Sequence, residues 1–592
     1  MTFSYQTAFD ARTDLKEYKE NALALFALQL RFQIEDIDTL AASSLTGGGD
    51  DKKCDLIHVD KEAGYIIVIQ AYMADLMKNP NKQAAPSNKA SDLNTAAAWL
   101  FNSSLEYLPE GIRSAAAEVR SSLEANQIRF VQFWYVHNLP ESQNVKDELK
   151  MVEQTVNNAL RTQLKNSEVE NVSTLEVGQK TLDEWYRALE APILVTDKFT
   201  IPISGGYTIS GKDWEAFVTA IPITWLHQVF QEYSDNLFSA NVRGYLGSIK
   251  SDKNINNGIK KTAKDEPKDF WAFNNGITAL VSSFKEVEAN QSEEQGSAKT
   301  LEIIGISIVN GAQTTGALGS LDTSPDGTGY VQVRFVKCTN TSTIRKIIEY
   351  NNRQNVVEAS DFRSNDTIQR RLREEFEKIP DTTYYGGRRS GSDVKRRPPN
   401  LLPSDTVAQA LAAFHQDPVI AYNNKSDIWR VDTIYSKYFT EQTSARHIVF
   451  VYSLLRSVEA KKLQLVNKSK PGPLSKEESQ QLSFLQKRGA HFLLSSAIAN
   501  CLETFLDKPV PNAFRVSFGK QVSPENAKKF WEPIVQVTIP FCEKLQPAVK
   551  KSLNSNDEAK KAISDFKAVV ESTKSYHVDC FKNFDNIVEI RS

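Results

Sequence analysis

Two short apolar runs, CDLIHVD from Cys54 and YIIVIQ from Tyr65, are separated only by Lys-Glu-Ala-Gly. Their length, β-branching and tight polar link read as a β-hairpin. A glycine-rich acidic turn, TGGGDDKK, leads into it, and the helical stretch DLKEYKENALALFALQLRF precedes it. In that stretch Tyr18, Leu25, Phe26 and Leu30 fall near one face. After the hairpin, PSNKASDLNTAAAWLF reads as a helix with Ser87 as its N-cap and Asp92 as a favourable early charge. RFVQFWYVH, from Arg129 to His137, reads as a buried strand. Strands alternating with helices make this region α/β.

With 592 residues the chain is too long for one hydrophobic core. Its 41% hydrophobic and 24% charged residues are those of an ordinary globular protein. No apolar run reaches the ~18 residues of a membrane span, and the N-terminus lacks the basic-then-apolar pattern of a secretory signal. The 5 cysteines are scattered, odd in number and form no Cys-x-x-Cys, which argues against a zinc knuckle and a disulfide framework. A cytoplasmic protein with reduced thiols is expected. A net charge of −2 is not that of a nucleic-acid coat protein, although one basic groove could still hold a nucleic acid.

Three parts are expected: an α/β part over residues 1–181, a mixed α/β part over 182–403, and a helical part over 404–592. In the second, strands such as EIIGISIV and YVQVRFV alternate with helices such as TSTIRKIIEYNN, and NQSEEQGSAK is a polar surface insertion. In the third, VNKSKPGPLSK from Val466 reads as a loop between helical blocks. There are no internal repeats, no Walker A motif and no Gly-x-Ser-x-Gly elbow.

On the hairpin, Asp55 falls at the start of the first strand and Gln70 at the end of the second. This resembles the PD-(D/E)xK nucleases, which carry Asp, then Glu or Gln, then a Lys two residues on. Such a site holds a divalent ion, Mg²⁺ or Mn²⁺, through oxygen ligands beside the scissile phosphate, and the ion lowers the pKa of a bound water. Here Tyr72 occupies the lysine's place and cannot supply a cation. Lys89, at a helix start where a positive charge opposes the helix dipole, is the candidate replacement. Glu20 is a candidate additional metal ligand, with Asp50 and Asp51 nearby. The alternative is that the fold is catalytically dead. His58 alternates with the hairpin's apolar positions, so it either faces the site or is an ordinary strand residue.

Further on come LFSANVRGYLG from Leu237, FWAFNNGITAL from Phe270, SIVNGAQTTGAL from Ser307 and YNNRQNVVEASDF from Tyr350. This ordered set resembles the AIPR (abortive infection phage resistance) family, and TGGGDDKKCDLIHVD, VIQAYMA and NKASDLN resemble the N-terminal part common in it. The resemblance implies phage defence through nucleic-acid damage, with Asp55 and Gln70 at the nuclease positions; Tyr72 together with the NKASDLN form favours a migrated lysine over a dead site.

The central motifs are rich in amides. Asn274, Asn275, Asn310, Gln313 and Thr314, joined by Asn241, Arg243, Asn352 and Gln354, either form a polar network that holds loops or line a pocket for a nucleotide or nucleic acid. The turn at Asn310-Gly311 opens a helix, whose N-terminus can hold phosphate. In GGRRSGSDVKRRPPN, Arg388, Arg389, Lys395, Arg396 and Arg397 form either a phosphate-contacting or a merely solvated loop, with Tyr384 and Tyr385 placed to stack on bases. The chain is thus read as a metal-dependent nuclease acting on DNA in preference to RNA, dimeric, and answering to a phage-derived trigger. The rival is an inactive nuclease fold serving as a sensor or adaptor.

Overall fold

A computed structural model describes residues 4–591 apart from 33, 48–50, 76, 79–80, 164–168, 170, 189–192, 194, 234–236, 239–252, 289–298, 353–362, 364–365, 387–399, 470–471 and 551. The chain folds into two compact units. One comprises residues 12–29, 33–179 and 358–592; the other comprises 1–11, 30–32 and 180–357.

The first unit contains a four-stranded sheet in the order β1 (Leu56–Asp60), β2 (Tyr65–Tyr72), β3 (Phe130–His137), β4 (Asn171–Val177). β1 and β2 form the expected hairpin. Asp60 closes its turn by accepting from Ala63 N–H at 2.8 Å, and Gly64 adopts φ 78° to complete it. β1 begins one residue after Asp55, and β2 runs past Gln70 to Tyr72. The β2–β3 and β3–β4 pairs are parallel, so each needs a crossover. The first crossover carries the helices Ser87–Ala97 and Glu110–Glu124, the second the helix Gln143–Gln163. Helices on its face explain why β2 is a continuous apolar run: Ile66 and Val68 pack with Ala90, Leu93, Val152 and Val156. Ser87 is not the N-cap of its helix; Pro86 takes that place, with no side-chain cap.

The same unit includes the helical C-terminal region. Its long helix runs Ala445–Ser469, straight through the Val466 position expected to open a loop. Leu465 and Val466 are buried, so core packing carries the helix on to Ser469. The described loop before the next helix, Lys476–Leu485, is confined to residues 472–475, and that helix starts with a Ser475–Glu478 capping box. Buried polar contacts tie this region to the sheet segment. Arg488 Nη2 donates to Ile57 O at 2.7 Å, and Gln486 Nε2 donates to Thr46 O and Gly47 O at 3.1 and 2.6 Å. Arg456 pairs with Asp36 and Glu459.

The second unit is built on a sheet ordered β5 (Val195–Ile203), β10 (Lys299–Asn310), β8 (Ile277–Val281), β11 (Tyr330–Cys338), β7 (Trp214–Pro222), β6 (Gly206–Ser210), with β9 (Ser283–Glu288) also on β10. Only β8–β11 is parallel. β10 serves three partners, two along its first half and one at its end. Its first half pairs with β5 and β9, and its end pairs with β8, after a bulge at Gly305, whose φ is 69°. The chain is therefore mixed α/β with a helical C-terminal region, as the sequence leads one to expect. No helix among the described residues is long and apolar enough to cross a membrane.

Candidate functional site

Asp55 lies opposite Gln70, because its N–H donates to Ile69 O at 3.0 Å and Leu56 pairs with Ile69. The pairing continues from Gln70 to Tyr135 and from Tyr135 to Glu176. One side chain from each strand or its edge thus forms a row across the sheet. Asp55 Oδ2 accepts from Gln70 Nε2 at 2.6 Å and from Ala71 N–H at 2.7 Å. Among the described residues the carboxylate is clasped on one oxygen only.

Burial pushes the Asp55 carboxyl up to about 6; the Ala71 N–H and the charge of Lys89 pull it down, whereas Asp51 and Glu20 push it up. Asp55, Gln70, Lys89, Glu20 and Asp51 are therefore near neighbours. Lys89 sits in the first turn of Ser87–Ala97, and Glu20, exposed, sits in the 3-10 helix Lys16–Asn21. Asp50 lies outside the described residues.

Gln70 is 5% exposed, and its buried Oε1 meets no hydrogen-bond donor among the described residues. A buried acceptor with no partner costs roughly 1–3 kcal/mol, and a cation would relieve that cost. The donor set of Asp55 and Gln70 oxygens suits a hard ion such as Mg²⁺, which binds through one or two protein ligands and keeps its waters. Among the described residues no group of three or more His, Cys, Asp and Glu is placed to hold a metal.

The loop entering Asp55 is unusual. Lys52 and Lys53 both take left-handed backbone, at φ 51° and 69°. Asp51 stabilises that course by accepting Lys53 N–H at 3.0 Å. Gln486 holds the start of the loop through Thr46 O and Gly47 O.

His58 does not face this site. It falls on the opposite sheet face, beside Ser44 Oγ at 3.2 Å, and burial pushes its ring down to about 4. Conversely, several neighbours of the row were not signalled by motif spacing. Lys82 Nζ donates to Tyr72 Oη at 2.5 Å. His137, in register with Tyr72, is fully buried and meets Glu176 Oε1 at 3.1 Å. The only hint of the latter pair in the sequence is a polar residue at the end of an apolar strand.

In the second unit the Asn-Gly pairs of two motifs meet at one end of the sheet. Gly311, at φ 94°, precedes the helix Ala312–Gly319. A Cβ there would lie 3.1 Å from Gly276 O and 2.8 Å from Ile277 Cγ1. Asn310, Thr278 and Arg334 lie in register on β10, β8 and β11. Arg334, absent from the sequence reading, donates to Thr278 Oγ1 at 2.7 Å and to Asn351 Oδ1 at 3.1 Å. Asn274 Nδ2 donates to Phe270 O at 2.9 Å, Asn275 is exposed, and Thr314 is buried. Gln313 occupies the first turn of the helix.

Asn241, Arg243, Gln354, Arg388, Arg389, Lys395, Arg396 and Arg397 lie outside the described residues, as does the side chain of Asn352. Tyr384 is 5% exposed and donates to Gln369 Oε1 at 2.8 Å, so it is a core residue and not a stacking platform.

No curated protein and no solved structure matched the chain. The family model described as AIPR protein matches residues 238–470, a stretch that includes the motifs meeting around Gly311, and this part of the chain is similar to that family.

Proposed function

We propose that this is a phage-defence protein of the abortive-infection type that hydrolyses phosphodiester bonds, DNA in preference to RNA, with Mg²⁺ or Mn²⁺. The AIPR match supports the defence role. The observation that carries the nuclease reading is the pairing of a half-buried carboxylate with a buried, donorless amide oxygen, Asp55 with Gln70 Oε1.

In this reading Asp55 and Gln70 would hold the ion, with Glu20 as an additional carboxylate. The ion supplies a bound water of lowered pKa and offsets charge on the scissile phosphate. Burial makes Asp55 reluctant to ionise, and the Ala71 N–H and, after it, the charge of Lys89 oppose that. Ala71 N–H fixes one carboxylate oxygen and leaves the other for the ion. A pair of copies would cut both strands of a duplex. The AIPR region would answer to a phage-derived trigger and keep the nuclease silent before infection.

The second reading is a binding protein on an inactive nuclease fold. It is favoured by Tyr72 in the lysine position and by the lack, among the described residues, of a three-carboxylate group.

The test is cleavage of plasmid DNA, phage DNA and total RNA with Mg²⁺, Mn²⁺ or EDTA, with and without phage lysate. Wild type runs beside Asp55→Ala and Lys89→Ala, with Mn²⁺ binding measured in parallel. Metal-dependent cutting lost in Asp55→Ala supports the nuclease. No cutting and no Mn²⁺ binding under any condition moves the assignment to the binding protein.

A further inference from the structure

Two residues beyond Gln70 on β2, Tyr72 projects from the same sheet face. Its hydroxyl accepts from Lys82 Nζ at 2.5 Å, and the same ammonium lies 4.8 Å from the ring centroid. Lys82 belongs to the segment between β2 and the helix that carries Lys89. A lysine is therefore delivered, through a tyrosine, to the place where a PD-(D/E)xK strand would carry its own.

The segment is already fastened at both ends. Ala74 N–H donates to Asn138 Oδ1 at 2.8 Å and Asn138 Nδ2 returns to Ala74 O at 3.0 Å, while Tyr135 Oη donates to Pro86 O at 3.2 Å. Moreover, because Tyr72 Oη accepts from the ammonium, its own proton is free for another acceptor, and among the described residues none takes it. An O–H polarised by a cation behind it and pointed away from it is a donor suited to an anionic oxygen.

We propose that Tyr72 and Lys82 act together as the phosphate-facing donor of this site: the Tyr72 O–H binds a non-bridging oxygen of the scissile phosphodiester, and Lys82 positions and polarises that hydroxyl. The proposal rests on the nuclease reading above. No proton leaves Tyr72. The dyad stabilises charge that grows on the phosphoryl oxygens as water adds and the P–O bond to the leaving sugar breaks.

The experiment compares the full-length wild type with Tyr72→Phe, Lys82→Met, Lys82→Arg and the double variant Tyr72→Phe/Lys82→Met. Readouts are kcat and KM for DNA cleavage, Mn²⁺ binding, and binding of a fluorescent DNA oligonucleotide in EDTA. Thermal unfolding confirms that each variant is folded. Tyr72→Phe keeps the ring and serves if Lys82→Met is unstable.

The expected result is a ~100-fold lower kcat for Tyr72→Phe and for Lys82→Met with Mn²⁺ binding unchanged. Lys82→Arg recovers most of the rate, the double variant falls no further than either single one, and metal-free DNA binding weakens a few-fold. If wild type cuts, Asp55→Ala does not, and the two single variants cut at the wild-type rate, the dyad is overturned and the nuclease stands. If wild type neither binds Mn²⁺ nor cuts, the nuclease reading falls and takes the dyad's role with it.

Discussion

Arg488 Nε lies 3.2 Å from Glu118 Oε2, and neither side chain is more than 5% exposed. The carboxylate also receives Lys61 Nζ at 2.8 Å and Tyr422 O–H at 2.7 Å, and the guanidinium reaches β1 at Ile57 O. Glu118 stands on a helix of the sheet segment and Arg488 just before a helix of the C-terminal region, so this cluster joins the strand next to Asp55 to distant sequence. Despite its burial Glu118 stays below the usual carboxylate range, because Arg488 and Lys61 favour its charge.

Removing one partner leaves a buried charge under-compensated. Arg488→Met is expected to lose about 3–5 kcal/mol in urea unfolding and to speed hydrogen exchange along β1. A loss under 1 kcal/mol would show that the cluster is well solvated and does not couple the two segments.

Asp55 gives a second prediction, with a definite sign. Its carboxyl is raised to about 6 in the folded protein, so the fold favours its protonated form. That stabilisation is full below the unfolded value of about 4 and is lost as pH rises through about 6. Asp55→Asn should therefore stabilise the metal-free protein by about 1–2 kcal/mol at pH 7.5 and not at pH 4. Urea unfolding at both pH values in EDTA decides it; equal effects at the two would mean that Asp55 is not desolvated.

His447 titrates in the opposite sense. It is fully buried, donates Nδ1–H to Val516 O at 2.8 Å and meets His415 Nε2 at 3.1 Å, and burial pushes it down to about 4. The unfolded chain takes up this proton near pH 6.5 and the folded one does not. The stability His447 provides is thus present above about 6.5 and lost as pH falls toward 4, at up to about 1.4 kcal/mol per pH unit. The stability gap between wild type and His447→Gln should shrink across that window. A gap that stays constant from pH 7 to 4.5 would contradict a neutral buried His447.

The meeting of the Asn-Gly motifs also makes a prediction. Gly311→Ala places a methyl against Ile277 and Gly276 in left-handed backbone. About 1–3 kcal/mol of destabilisation is expected from strain alone. Limited proteolysis should cut this variant faster within residues 180–357, and wild-type resistance there would show that the close approach relaxes freely.

The local elements follow from neighbours along the chain. β-branching and the Lys61–Gly64 link were enough for the hairpin, which in turn set Asp55 opposite Gln70. The helix bearing Lys89 was legible for the same reason, since both depend on residues close in sequence. Boundaries that depend on burial were not: the helix through Val466 persists because its end packs in a core, and Tyr384 is inside because Gln369 awaits its hydroxyl.

The distant neighbours of the candidate site are brought together by long-range packing. Lys82 reaches Tyr72 by the course of an irregular segment, Arg334 meets Thr278 because β8 and β11 pair in parallel, and Gln486 grips the loop before Asp55 from the far end of the chain. Spacing along a chain reports periodicity within one element. The pairing of elements is settled by burial of apolar faces and satisfaction of polar groups across the whole fold, and no short motif encodes it.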